Sequence, residues 1–163
     1  MSDGIRTDSA PKPVGIYPHA RRVGNLLFLS GIGPRYASSD AIPGNHYFAD
    51  GRLRDYDIAA QTHAVFANVR RVLEAGGARW EDLLDVTVYL TDMKHDFQAY
   101  NAIWAEHFPE PESAPCRTTL GITALPTPIA IELKCIALLS SPPPLAEEGQ
   151  GGAGGEPQCF RTR

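Results

Sequence analysis

The sequence predicts an α+β domain, a mixed sheet with two helices packed on one face. Three observations predict it. Segments 57–75 and 92–108 repeat apolar residues at helical spacing. Several other segments alternate apolar and polar residues, or run apolar, over strand lengths. Strands fall before, between and after the two helices, an order that suits one sheet with a helical layer on one side.

Each element has its own signal. Residues 1–13 are polar and predict a flexible arm. Tyr17 to Val23 is a candidate first strand and Asn25 to Ile32 a clearer one, joined by a Gly24-Asn25 hairpin turn. Residues 34–51 are rich in Gly, Pro, Ser and Asn and predict a loop, with a short strand near His46 to Phe48. From Asp57 to Ala75, Ile58, Thr62, Val65, Phe66, Val69, Val72 and Leu73 mark one helical face. Asp55 or Asp57 serves as its cap, and Gly76-Gly77 stops it. From Leu83 to Thr91, Leu84, Val86, Val88 and Leu90 alternate with Asp85, Thr87 and Tyr89, the pattern of a half-buried strand. Thr91 or Asp92 caps a second helix to Phe108, with Met93, Phe97, Tyr100, Trp104 and Phe108 along one side. After a linker at 109–115, strands are expected over 116–122 and 129–139, with Leu125-Pro-Thr-Pro128 turning between them. The folded domain is therefore placed at 14–139. Residues 140–163 are so rich in Pro and Gly that they predict a disordered tail.

Composition narrows the function. The 163 residues carry a net charge of −4 with no basic stripe, which argues against nucleic acid as a partner. No apolar run approaches the about 20 residues of a membrane span, and no signal peptide is visible, so a cytoplasmic protein without a membrane partner is expected. The cysteines, 116, 135 and 159, are odd in number and lack metal spacing, and the five histidines lack it too. No metal site is expected. Cys116 and Cys135 fall in apolar strands and are expected to be buried thiols, whereas Cys159 lies in the tail.

The strands also predict assembly. In 26–29, Leu27 and Leu29 share one face while Leu26 and Phe28 share the other. The last strand has Ile129, Ile131, Leu133, Cys135 and Ala137 on one face and Ala130, Glu132, Lys134, Ile136 and Leu138 on the other. Two helices cover one side only. The second side meets other copies of the chain, or is covered by the 34–51 loop.

Arg117 and Glu132 are the polar residues to note on the last two strands. A hairpin register around the intervening turn would set them opposite or diagonal on one face. Alone, such a pair favours an ion pair that fixes strand register. Their chemistry allows more: Arg binds a carboxylate with a planar fork, and Glu positions a water and exchanges a proton with it.

Cys116-Arg-Thr-Thr-Leu120, Leu125-Pro126 and Ile131-Glu-Leu-Lys-Cys-Ile-Ala137 resemble the C-terminal signature of the RidA/YjgF family. Gly15-Ile-Tyr17, Leu29-Ser-Gly31, Gln61 to Asn68, Val86 to Asp92 and Phe97 to Asn101 match in the same order, so the resemblance runs from about Pro11 to Leu139. It implies a chorismate-mutase-like α+β fold, a homotrimer with clefts between subunits, and hydrolysis of enamines and imines without a cofactor. It implies that Arg117 holds the substrate carboxylate and Glu132 orients the attacking water. Tyr17, Ser30 and the Gly31 backbone would line the pocket, with Asn101 from the second helix. Thr119 stands where many members carry Cys, which puts a thiol-dependent activity in doubt but not a water-based one.

Within the family, Gly31-Ile-Gly-Pro-Arg35, Ala41-Ile-Pro-Gly44, Arg54-Asp-Tyr-Asp57, Thr91-Asp-Met-Lys94 and Leu125-Pro-Thr-Pro-Ile-Ala-Ile-Glu132 are similar to 2-aminomuconate deaminases. That similarity implies conversion of 2-aminomuconate to 2-oxohex-3-enedioate (4-oxalocrotonate) and ammonia. A dicarboxylate needs a second cation or donor, and His19, Arg35 and His46 are the candidates. The alternatives are a general 2-iminoacid (2-aminoacrylate) deaminase, a non-catalytic trimer that binds a small carboxylate, and a ribonuclease or translation inhibitor. The acidic balance argues against the last.

Overall fold

The computed structural model describes residues 3–39 and 41–140. Cys159 and the tail from 141 onward lie outside the described residues. Six strands form the main sheet in the order β1-β2-β3-β8-β6-β7. They are β1 (Asp3–Ile5), β2 (Ala20–Val23), β3 (Leu26–Leu29), β6 (Leu83–Leu90), β7 (Cys116–Gly121) and β8 (Ile131–Leu138). A separate hairpin pairs β4 (Asn45–Tyr47) with β5 (Leu53–Tyr56). The helices are α1 (Ile58–Gly76) and α2 (Met93–His107). This is the expected mixed sheet with a two-helix layer.

The caps follow their chemistry. The Asp57 carboxylate accepts from the Ala59 and Ala60 amides at 2.8 and 3.1 Å and starts α1. Gly77, at φ 83°, ends it in the left-handed region that glycine adopts without strain. Asp92, not Thr91, caps α2. One glycine is needed for space: a Cβ on Gly76 would lie 3.0 Å or less from the Leu27 side chain, so α1 sits close on β3.

The core lies between the helices and one face of the sheet. Leu27, Leu29, Val86, Val88, Leu90, Ile131, Leu133, Cys135 and Ala137 meet Val65, Phe66, Val69, Val72 and Leu73 of α1 there. Each of these is at most 1% exposed, so the face is fully sealed. The opposite, open face is not. Phe28, Leu120 and Leu138 are exposed on it, and Leu26 and Ile136 only half-buried.

Several expectations need correction. Asp3 to Ile5, within the expected arm, pair antiparallel with β2, and Ala10 is buried. The strand expected from Tyr17 starts at Ala20. The strand β5 was not foreseen. The alternation in β6 breaks at Leu84: Leu83 is buried and Leu84 exposed, because the register with β8 shifts between Leu83 and Asp85. Phe97 is exposed, and Ile103 takes a place in the core. Cys116 is exposed; Cys135 is buried, and burial pushes its thiol up to about 12. The 34–51 segment does not cover the open face. Its hairpin is tied to the helices, Gln61 Nε2 donating to Asn45 Oδ1 at 2.7 Å and the Tyr56 hydroxyl to Asp96 Oδ2 at 2.8 Å.

Candidate active site

The largest correction concerns strand pairing. β7 and β8 are not hairpin partners. β6 lies between them, parallel to β7 and antiparallel to β8. Arg117 pairs with Val86, and Val86 with Cys135, which puts Arg117 on the helix face. Glu132 pairs with Tyr89, one position out of phase, on the open face. Within one chain, the two residues expected to share a face are on opposite sides of the sheet.

On the helix face, three side chains of α2 hold or adjoin Arg117. Its Nη1 donates to Asn101 Oδ1 at 2.9 Å, a charge-assisted bond. Its guanidinium carbon lies 4.8 Å from the Trp104 ring centre and 5.7 Å from that of Tyr100, within cation–π range. Thr119, two residues along β7, points the same way and is half-buried. Tyr100 is fully buried, and its hydroxyl has no hydrogen-bond partner among the described residues. Burial pushes that hydroxyl up to about 12, against a smaller downward pull from nearby Arg117 and Thr119. It therefore remains a donor at neutral pH. The aromatic pair at 100 and 104 lies on the side of α2 that the sequence marks as apolar. Its four-residue spacing around Asn101 was the available signal that it also floors the Arg117 site.

On the open side, a cavity gathers most of the other expected residues. Tyr17, His19, Ser30, Gly31, Arg35 and Glu132 all line it. Glu132 is half-buried, and desolvation raises its pKa above the usual carboxylate range. A Cβ on Gly31 would come within 2.8 Å of the Glu132 carboxyl carbon, so only glycine lets this backbone lie against that carboxylate. The Ser30 hydroxyl donates to the Pro18 carbonyl at 2.7 Å. His19 is buried and occupied: Nδ1 accepts from the Thr7 amide at 3.3 Å, and Nε2 donates to the Pro11 carbonyl at 3.0 Å. It pins the N-terminal segment over the cavity. Arg35 donates to the Lys12 carbonyl at 2.6 Å from the cavity wall. His46 is the exception. It is on β4, bonded to Asp55, and does not line the cavity. Sequence reasoning missed Pro126, Thr127 and Ile129 in the lining, which belong to the loop before β8.

No group of three His, Cys, Asp or Glu side chains suited to a metal occurs among the described residues. No described helix is long and apolar enough to cross a membrane.

Fold and site together define a class: an α+β domain with an oriented guanidinium behind its main sheet and a desolvated carboxylate in a cavity in front of it. Comparison with known proteins assigns the family. The chain belongs to the Endoribonuclease L-PSP (RidA/YjgF) family, whose model matches residues 7–139. It is 37% identical over 137 residues to a RutC family protein of Pyrococcus horikoshii, covering 84% of this chain and 98% of that one. It is 32% identical over 136 residues to a 2-iminobutanoate/2-iminopropanoate deaminase of Dermatophagoides farinae, covering 83% and 94%. Among solved structures, Escherichia coli TdcF with bound serine superposes at a TM-score of 0.71 with 27% identity, covering 85% of this chain and 99% of that one.

Proposed function

We propose that this chain is a hydrolytic deaminase of enamine and imine carboxylates, acting without a cofactor in clefts between the subunits of a homotrimer. The observation that carries it is the division of the site by the sheet. One copy offers an oriented Arg117 on one side and a desolvated Glu132 on the other, so a second copy is needed to bring them together. The exposed Phe28, Leu120 and Leu138 on the open face give that copy an apolar surface to cover.

In this cleft the substrate carboxylate lies on Arg117, whose orientation is already fixed by Asn101 and Trp104. A 2-amino-2-enoate takes a proton at carbon and gives one up from nitrogen, becoming the imine. Glu132 of the neighbouring copy presents a water to the imine carbon and accepts its proton. Glu132 passes that proton to the nitrogen to complete the carbinolamine, then relays the hydroxyl proton to the nitrogen as the C–N bond breaks, and ammonia leaves the ketone. A carboxylate with a raised pKa suits this double duty, because it both takes and returns the proton.

For the substrate we propose 2-aminomuconate, giving 2-oxohex-3-enedioate (4-oxalocrotonate) and ammonia. Arg35, on the wall of the Glu132 cavity, is the cation for the second carboxylate. His46 does not line that cavity, and both ring nitrogens of His19 are taken by the Thr7 amide and the Pro11 carbonyl. A general 2-iminoacid deaminase is the second reading, favoured by the name of the Dermatophagoides farinae relative. The deciding experiment measures ammonia release from enzymatically generated 2-aminomuconate and from 2-iminobutanoate, with Arg117→Ala as control. Faster turnover of 2-aminomuconate supports the dicarboxylate, and the reverse supports the second reading. Serine bound to TdcF keeps a third outcome in view, carboxylate binding with no ammonia release.

A further inference from the structure

Tyr100 carries a hydroxyl that the core does not need. Its ring packs between Phe97 and Trp104, at centroid distances of 6.4 and 6.2 Å, and Phe would fill the same space. The hydroxyl is nonetheless buried without a partner among the described residues. A polar atom left so is costly, and few native cores keep one without a use.

The surroundings indicate the use. The Arg117 guanidinium carbon lies 5.7 Å from the Tyr100 ring centre, and Thr119, two residues along β7, presents its side chain to the same helix face beside it. Arg117 only donates, and one of its N–H groups is already spent on Asn101. Of these two neighbours, only Thr119 Oγ1 can accept. A threonine hydroxyl that accepts from Tyr100 has its own hydrogen left to give, and the group it borders is the guanidinium of the proposed carboxylate anchor.

We propose that Tyr100 is a positioning residue of the anion subsite: it donates to Thr119 Oγ1 and so aims the Thr119 hydroxyl at the carboxylate held by Arg117. The carboxylate completes a chain from Tyr100 through Thr119 to the ligand, in which each bond polarises the next. The free protein carries the cost of the idle hydroxyl, and the ligand-bound protein recovers it. The inference rests on Arg117 as the carboxylate anchor.

The test titrates 2-oxobutanoate, the ketone that 2-iminobutanoate hydrolysis yields, into the full chain by calorimetry. Wild type is compared with Tyr100→Phe, Thr119→Val, the double variant and Arg117→Ala, and thermal unfolding of each is recorded without ligand. Each single change at 100 or 119 is expected to weaken binding about tenfold, the size of one hydrogen bond to a charged group. The double variant is expected to bind within about twofold of the singles, because both act through one chain. Tyr100→Phe is expected to melt at or above wild type, which a structural hydroxyl would not allow. Unchanged binding in Tyr100→Phe, or additive losses in the double variant, overturns the inference while Arg117→Ala still loses binding. If Arg117→Ala binds like wild type, or wild type does not bind, the anchor fails and the role of Tyr100 with it.

Discussion

On the helix face the proposed carboxylate anchor is held by contacts; on the open face the proposed proton carrier is held by surroundings. Arg117 is clamped by an amide from Asn101 and an aromatic plane from Trp104, both on α2. Glu132 lies against the Gly31 backbone, and what distinguishes it is lost solvent, which raises its pKa. The contrast has a physical consequence. A clamped cation has its geometry set before any ligand arrives. A desolvated carboxylate has its proton affinity set by whatever covers it, so a second copy closing over the open face would shift the Glu132 pKa again, up through lost solvent and down through the Arg117 it brings.

The strongest way to break this comparison is to mix subunits. Arg117→Ala alone is expected to lose at least about 100-fold in kcat/KM, the scale of a lost positioning contact. Co-refolding it with Glu132→Gln should restore activity at roughly a quarter of the sites, by random assortment of copies in a symmetric ring. No recovery would place both residues of each site in one chain.

Glu132→Gln is expected to slow turnover about 100-fold, and its effect on stability has a definite sign. A carboxyl whose folded pKa is raised contributes stability below its unfolded pKa and loses it as pH rises through the folded value. Glu132→Gln should therefore be more stable than wild type at neutral pH, and the gain should vanish in acid. Denaturant titrations at pH 4 and pH 8 would read this, and a variant less stable at pH 8 would show that the charge is instead stabilised.

Gly31→Ala sharpens the same face. The added Cβ displaces the end of a flexible Glu132 side chain rather than backbone. Turnover should fall while the melting temperature changes little, and an unchanged rate would mean that the carboxylate position does not matter. The smallest effect is expected at His95, far from both groups. Its Nδ1 lies 2.6 Å from the buried Asp96 carboxylate, which raises its pKa. The stability it supplies is full below the ordinary histidine pKa and is lost as pH rises through the raised value. His95→Gln should be less stable than wild type at pH 5.5 and nearly equal at pH 9.

Much of this was legible in the chain. Helical spacing and caps located α1 and α2 within a residue or two, because each has an independent start signal, stop signal and apolar face. Alternation placed Val86, Val88, Leu133 and Cys135 in the core. It did not show which strand lies beside which. β7 and β8 follow one another in sequence, so a hairpin was the natural expectation, but residues 122–130 separate them, longer than most hairpin loops. A parallel crossover through α2 pairs β7 with β6 instead, and that placed Arg117 and Glu132 on different faces. Asp3 to Ile5 is too short for any periodic signal, and the bulge at Leu84 hides inside a regular pattern. The six expected residues that line the cavity came from family resemblance, whereas His46 lies outside it because its short strand belongs to a separate hairpin.

The order of the sheet also bears on how the chain is made. The last strand, β8, is inserted between β3, near the start, and β6, in the middle. Until β8 has been synthesised and released, the N-terminal strands and the β6–α2–β7 unit have no strand to join them. The strand that closes the sheet is the one that carries Glu132. A nascent or truncated chain ending before residue 131 would therefore lack the proposed catalytic carboxylate and the closed sheet together, so no partly folded product would hold half of the proposed site on a finished scaffold.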